Sequence, residues 1–143
     1  MQYVTLSGFF FCLISICIFD LYKRRIPNLL IVLLFLVLVS ANLIGQLNYH
    51  VSSFLVVAVS SLLLWKIGVW GAGDVKLLAV LSLFTSPDFL LTSIVVVLVV
   101  GGGVALCELL ASKIWSSRET KGVPYGLAIC VGGCIGILAS ISS

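Results

Sequence analysis

Charged residues are scarce in this chain, with eight Lys and Arg and five Asp and Glu among 143 residues. Hydrophobic residues make up 62% of it, and the mean hydropathy is +1.31. So little polar surface cannot cover a soluble globule of this length, which excludes a soluble domain. The composition therefore indicates a single integral-membrane domain over residues 1–143, with the lipid bilayer as its partner and no nucleic acid.

The chain also lacks the spacings that metal sites use. Its five cysteines include no Cys-x-x-Cys pair, and its single histidine, His50, lies in a short predicted loop. Cysteine in an apolar helix commonly behaves as a small hydrophobic residue. We therefore expect neither a metal nor a cofactor.

Six apolar runs are present, at residues 3–19, 26–47, 51–70, 75–84, 89–111 and 123–141. Five of them approach or exceed the roughly 20 residues that a helix needs to cross a bilayer. The fourth would rise only about 15 Å. The first has no basic residue before it and no small-residue cleavage site after it, so we expect it to be retained. The predicted fold is all-α, a polytopic membrane protein of six transmembrane helices with a short helix 4.

The basic residues are distributed unequally. If all six runs span, every Lys and Arg falls in loops on one side of the membrane, whereas five spans would split the set. Cytoplasmic loops carry an excess of these residues. We therefore predict a multi-pass protein of the cytoplasmic membrane with both termini outside. The residues that face the cytoplasm in this topology are Lys23, Arg24, Arg25, Lys66, Lys76, Lys113, Arg118 and Lys121.

Two aspartates, Asp20 and Asp74, lie at the ends of apolar runs, where an ionisable group is costly to keep. Helix 1 reaches the cytoplasmic boundary at Asp20 and helix 4 departs from it at Asp74, so both carboxylates lie at one depth. Two carboxylates in a partly desolvated site cannot both ionise easily, so one keeps a proton. Such a pair can activate a water and protonate a leaving amine, which is peptide hydrolysis without a metal.

The residues alone leave other interpretations open. Asp74 is well placed to cap the start of its helix. Two rim carboxylates also fit a small transporter or a proton or cation pathway, although transporters more often hold their acids near the bilayer midplane. A third interpretation is a non-catalytic subunit of a pilus or secretion machine. Replacement of the aspartates by Asn separates these, because a protease loses cleavage, a transporter loses flux and a scaffold loses neither.

Glycines accompany the predicted site. Gly71 and Gly73 leave the backbone before Asp74 free of side chains, so a substrate strand could approach closely. The helix dipoles favour an ionised Asp74 at the start of helix 4 and a protonated Asp20 at the end of helix 1, which would make Asp74 the base. A second set of glycines is predicted to let helices pack closely; it comprises residues 101–103, Gly132 and Gly136.

Three blocks of the sequence together resemble one family. They are Asp20 followed six residues later by Ile26-Pro27-Asn28, then Gly71-Ala72-Gly73-Asp74-Val75-Lys76, and then Val123-Pro124-Tyr125-Gly126. In order and spacing they resemble the type IV prepilin peptidases, which are membrane aspartic proteases. The resemblance implies that Asp20 and Asp74 are the catalytic pair, and that the partner is a pilin-like precursor whose leader is cut at the cytoplasmic face. The residues expected to shape the site or bind substrate are Gly71, Gly73, Pro27, Asn28, Pro124, Tyr125 and Gly126.

The chain departs from the long members of that family. Those resemble bifunctional enzymes with a methyltransferase region that carries paired Cys-x-x-Cys motifs, and this sequence has neither the room nor the cysteines. Its compact size resembles the short peptidases of tight-adherence (Flp) pilus systems. Presenilin-like proteases share Gly-x-Gly-Asp but not the rest of the pattern.

Overall fold

The chain folds into a bundle of helices, as seen in a computed structural model that describes residues 2–68, 70–114 and 124–142. Among the described residues, three helices are long and apolar enough to cross a membrane, over Val4–Lys23, Pro87–Ala111 and Tyr125–Ser142, and two shorter apolar helices run over Asn28–Leu43 and Val51–Lys66. The prediction of an all-α membrane protein is therefore confirmed. The helices of the described residues are α1 (Gln2–Lys23), α2 (Asn28–Leu43), α3 (Val51–Lys66), α4 (Ala72–Leu83), α5 (Pro87–Ile114) and α6 (Tyr125–Ser142).

Helix α4 is short, as predicted, with 12 residues and a rise of about 18 Å. It is not among the candidate spans. Helices α2 and α3 end before the apolar runs that predicted them, because Gly45 and Gly68 follow their last turns with φ of 76° and 82°. This left-handed conformation, which glycine adopts without strain, terminates a helix.

The two prolines of the predicted site stand just outside their helices. Pro27 is the cap residue before α2, and Pro124 precedes α6. Both direct the chain into the helix, since proline has no N–H to leave unpaired there. Val123, Arg118 and Lys121, which entered the predictions, lie outside the described residues.

Helix α6 is the centre of the bundle and packs against α1, α4 and α5. A Cβ atom added at Gly132 would lie 2.7 Å from the Ser93 carbonyl oxygen, and one at Gly136 would lie 3.0 Å from Ser93 Oγ. The predicted close packing is confirmed at these two glycines. It is wrong at Gly102 and Gly103, where a Cβ would meet nothing within 4 Å in the described part of the chain.

The two ends of the bundle differ in chemistry. At one end the amide of His50 donates to the Leu83 carbonyl (2.8 Å), which joins the start of α3 to the end of α4. At the other end the last turn of α1 meets the starts of α4 and α6. That second end brings together the charged residues of the predicted site.

Candidate active site

Asp20 lies in the last turn of α1 and is buried, with only 5% of its surface exposed. Its backbone carbonyl accepts a hydrogen bond from the Arg24 amide (2.9 Å), which closes the helix. Its side-chain Oδ2 atom has no hydrogen-bond partner among the residues that the structure describes. A buried polar atom without a partner is uncommon and calls for a functional explanation, such as a proton or a bound water.

The first turn of α6 lies directly against Asp20. A Cβ atom at Gly126 would lie 2.7 Å from Asp20 Oδ2 and 2.8 Å from Asp20 Cγ, so any side chain there would displace the carboxyl group. The backbone N–H groups of Gly126 and Leu127 face the carboxyl group. The start of a helix carries partial positive charge. Asp20 therefore has the negative end of α1 on one side and the positive end of α6 on the other.

Asp74 lies in the first turn of α4, outside the candidate spans. Its Oδ2 atom accepts a hydrogen bond from the Gly71 amide (3.2 Å). Asp74 therefore caps its own helix, which is the structural role that the sequence left open for this residue. Burial, together with the negative charge of Asp20, raises the pKa of Asp74 to about 6 against the opposing effect of the Gly71 hydrogen bond. A carboxyl group with this pKa exchanges its proton near neutral pH.

Both aspartates line one cavity of about 310 Å³ at the end of the bundle. The two aspartates therefore lie at the same end of the bundle and border one space. Peptide units and one or more waters fit a space of this size. The remaining lining residues come from the segment after α1 and from the start of α4 with its cap residue, and they are Arg24, Arg25, Ile26, Gly71, Ala72 and Gly73.

At each of the two glycines before Asp74, a side chain would crowd a different neighbour. A Cβ at Gly71 would lie 3.1 Å from Asp74 Oδ2, where it would crowd the capping carboxylate. A Cβ at Gly73 would lie 3.2 Å from the Cβ of Ile26, so the start of α4 is pressed against the segment that leads into α2. Both residues line the cavity, as the sequence predicted.

Asn28 borders the site without lining the cavity. Its Oδ1 atom accepts a hydrogen bond from Lys76 Nζ (3.1 Å), which ties the start of α2 to the first turns of α4. Pro27, one residue earlier, directs this segment past Gly73. These contacts hold two of the three sequence blocks together, and neither residue touches the pair of aspartates in the cavity.

Among the described residues of the third block, only Gly126 is shown against Asp20. Tyr125 packs on α5 instead, with its ring 3.3 Å from the Cβ position of Gly101. Pro124 lines a separate groove between α1 and α5 that also contains Leu21. Neither Tyr125 nor Pro124 lines the cavity, so their part in shaping the site or binding substrate stays a prediction.

Sequence reasoning missed the role of Arg24 and Arg25, which line the cavity beside Asp20. Arg24 forms a salt bridge with Glu108 of α5. Lys23 lies over the Phe19 ring, 4.9 Å from its centre. Arg24 follows Asp20 by one helical turn, and that spacing could have indicated which of the three cations faces the aspartate.

The cysteines lie in the helices as predicted. All five are free, and the thiols of Cys17 and Cys130 hydrogen-bond across α1 and α6. Within the described residues no group of three His, Cys, Asp or Glu side chains is arranged to hold a metal ion. The two carboxylates of the cavity can share a proton and a water.

A sequence profile of the type IV leader peptidase family matches residues 7–106, a segment that contains both Asp20 and Asp74 and ends before α6. Comparison with curated proteins and comparison with solved structures each gave no match. The matched segment covers most of the chain.

Proposed function

Because the chain belongs to the type IV leader peptidase family, we propose that Asp20 and Asp74 cut the leader from a pilin-like precursor at the cytoplasmic face of the membrane. Members of this family are prepilin leader peptidases of the aspartic protease class, and the chain is one of them. Family membership favours a peptidase over the transporter and the non-catalytic assembly subunit that the residues alone left open. What we propose is the identity of the two catalytic residues, the cytoplasmic position of the site and the class of precursor that is cut.

One observation carries the assignment of the pair. Two carboxylates from helices distant in sequence line a single cavity of about 310 Å³, and one of them has a buried oxygen without a partner. A structural role explains Asp74, which caps α4, but it does not explain Asp20. An ionisable side chain at such a position is costly unless it has a function.

The proposed reaction needs one shared proton. One carboxylate takes a proton from a water as the water oxygen adds to the scissile carbonyl carbon. The partner gives its proton to the leaving nitrogen as the C–N bond breaks. The pair holds one proton before and after the reaction, with the two roles exchanged, and one water is consumed. The new carboxyl and amino ends then leave.

The structure changes the expected division of roles between the two aspartates. The sequence argument placed only Asp74 at a helix start, whereas Asp20 also faces the start of α6. At Asp20 the dipole of α6 opposes that of α1, which weakens the dipole argument for Asp20 as the acid and Asp74 as the base. We treat the pair as one titrating unit.

The proposed orientation follows from charge. The described basic residues near the cavity are Arg24, Arg25 and Lys76, and an excess of basic residues is typical of the cytoplasmic side. This supports a cytoplasmic site with both termini outside. The absence of a Cys-x-x-Cys pair and the short described connections between helices support the tight-adherence (Flp) subtype.

The test uses the purified protein in liposomes with a panel of pilin-like precursors. New amino termini are mapped by mass spectrometry for the wild type, Asp20→Asn and Asp74→Asn. Asp88→Asn is the matched control, because Asp88 is an exposed aspartate at the opposite end of the bundle. We expect cleavage at one site by the wild type and the control, and none by the two cavity variants. Cleavage by either folded cavity variant at the wild-type rate would overturn the assignment.

A further inference from the structure

Arg24 stands beside the two aspartates in an unusual backbone conformation. It lines the cavity with Asp20 and Asp74, and its φ is 52°. Residues with a Cβ rarely adopt this left-handed region, and glycine is the usual residue where a helix ends this way. An arginine kept at such a position suggests that its side chain is needed there.

The Arg24 guanidinium pairs with the carboxylate of Glu108 on α5. The two side chains form a salt bridge and are exposed to 24% and 33%, so the pair is neither deeply buried nor fully solvated. It links two elements that are 84 residues apart. The negative charge of Glu108 therefore offsets the positive charge of Arg24 a short distance from Asp20.

We infer that Glu108 is a positioning residue for the reaction, which neutralises Arg24 so that the aspartate pair keeps its shared proton at neutral pH. This inference rests on the proposed function of the pair. A guanidinium without a counter-charge next to a carboxylate favours the ionised form. The pair would then lose its proton at a lower pH, and the reaction would lose the group that protonates the leaving nitrogen.

Other groups also face Asp20 and set the background for this effect. Asp74 of α4 is close enough to interact with it electrostatically, the thiols of Cys17 on α1 and Cys130 on α6 lie within reach of its charge, and the amides at the start of α6 face it. Arg25 lines the same cavity. These groups are left unchanged in the test, so a shift seen on altering only Arg24 or Glu108 reports their pair.

The direct test is an infrared titration of the purified protein in liposomes, without substrate. The band of the shared carboxyl proton is identified by its loss in Asp20→Asn and Asp74→Asn. Glu108→Gln is expected to lower the pH midpoint of that band by about one unit, and Arg24→Gln to raise it by about as much. The double variant Arg24→Gln/Glu108→Gln should return close to the wild type, and Asp88→Asn, which removes one negative charge from the far end of α5, should not move it.

The signs of these shifts decide the inference. If Glu108→Gln and Arg24→Gln shift the midpoint in opposite directions and the double variant restores it, the result supports the inference that Glu108 offsets the charge of Arg24. An unmoved midpoint in Glu108→Gln, or shifts of Glu108→Gln and Arg24→Gln in the same direction, would overturn it, since removing two opposite charges close to the aspartates has to move the midpoint in opposite directions.

Cleavage of a pilin-like precursor provides the second readout. In Glu108→Gln, the fall of the cleavage rate on the alkaline side should shift to lower pH. In the double variant it should return to the wild-type position. If the wild type cuts no precursor, the proposed function fails while the infrared titration still judges the pairing of Arg24 with Glu108. If cleavage occurs but its alkaline limb does not follow the infrared midpoint, the link to catalysis is wrong.

Discussion

The carboxyl group of Asp20 occupies the space that a side chain at Gly126 would need, with Oδ2 only 2.7 Å and Cγ 2.8 Å from the Cβ position. Helix α6 thereby forms a wall of the site without adding a side chain to it. This contact connects the third sequence block, which lies outside the segment matched by the family profile, to the proposed catalytic pair.

Replacement of Gly126 by Ala should strongly reduce precursor cleavage while the protein still folds. The new methyl group meets the end of the short Asp20 side chain, which can rotate into the cavity. The fold then survives, but the geometry of the pair is lost, and a displacement of about 1 Å can lower a rate by roughly 100-fold. We expect at least a tenfold loss of precursor cleavage, measured at equal folded protein.

Gly102→Ala is the control for this prediction. It is also a helical glycine made into alanine, but a Cβ there meets nothing within 4 Å among the described residues. Its cleavage rate should stay within about twofold of the wild type, since alanine only improves helix propensity. Equal losses in Gly102→Ala and Gly126→Ala would contradict the steric explanation.

Replacement of Gly132 by Ala should instead lower stability. A Cβ there lies 2.7 Å from the Ser93 carbonyl oxygen and 3.1 Å from the Val97 nitrogen, so backbone of α5 has to move away from α6. Overpacking of this kind typically costs about 1–3 kcal/mol. Thermal unfolding in detergent should show a lower Tm than the wild type. Gly103→Ala, on the open face of α5, should not lower it, and a similar decrease there would argue against the packing explanation.

Replacement of Asp74 by Asn should stabilise the protein above pH 6. The pKa of Asp74 rises from an ordinary value of 3.8 to about 6 in the folded protein, so the folded state binds the proton more tightly than the unfolded state. Its favourable effect is complete below about pH 4 and is lost as the pH rises through 6, where the buried charge costs at most about 3 kcal/mol. Partial exposure of Asp74 makes the real cost smaller.

The measurement for Asp74→Asn is the Tm at about pH 4 and about pH 7.5. The variant should be a few degrees more stable than the wild type at the higher pH and close to it at the lower pH. Asn keeps an oxygen that can accept the Gly71 hydrogen bond. A variant that is less stable than the wild type at both pH values would mean that capping outweighs the cost of the buried charge.

The hydrogen bond between Lys76 and Asn28 should contribute little. It is exposed, with a length of 3.1 Å, and such bonds stabilise a fold by about 1 kcal/mol or less. Lys76→Met and Asn28→Ala should each lower the Tm slightly and change precursor cleavage by less than about threefold. The double variant should lose no more than the larger single loss, whereas fully additive losses would show that the two residues act separately.

Much of the site was predictable because its parts are local in sequence. Asp20, Gly71, Gly73 and Asp74 were identified from apolar run ends, charge placement and a motif, and all four line the cavity. The family is also confirmed, while the tight-adherence subtype stays a prediction. Run length and charge determine the depth of each residue in a membrane, and depth was enough to bring the two aspartates to one level.

The direction in which neighbouring residues face was not predictable in this way. Tyr125 and Gly126 are adjacent, yet one packs on Gly101 of α5 and the other on Asp20 of α1. Successive helical residues are rotated by about 100°, and the hydrophobic pattern of a membrane helix does not mark which face meets which neighbour, because lipid and protein are both apolar.

The sequence by itself determined that this is a membrane aspartic peptidase with one aspartate at the end of helix α1 and one at the start of helix α4. Only the tertiary structure decided that α6 closes the site through Gly126 and that Glu108 reaches Arg24. These contacts join residues that are far apart in the chain. They depend on how the helices pack side by side, which no local pattern of residues encodes.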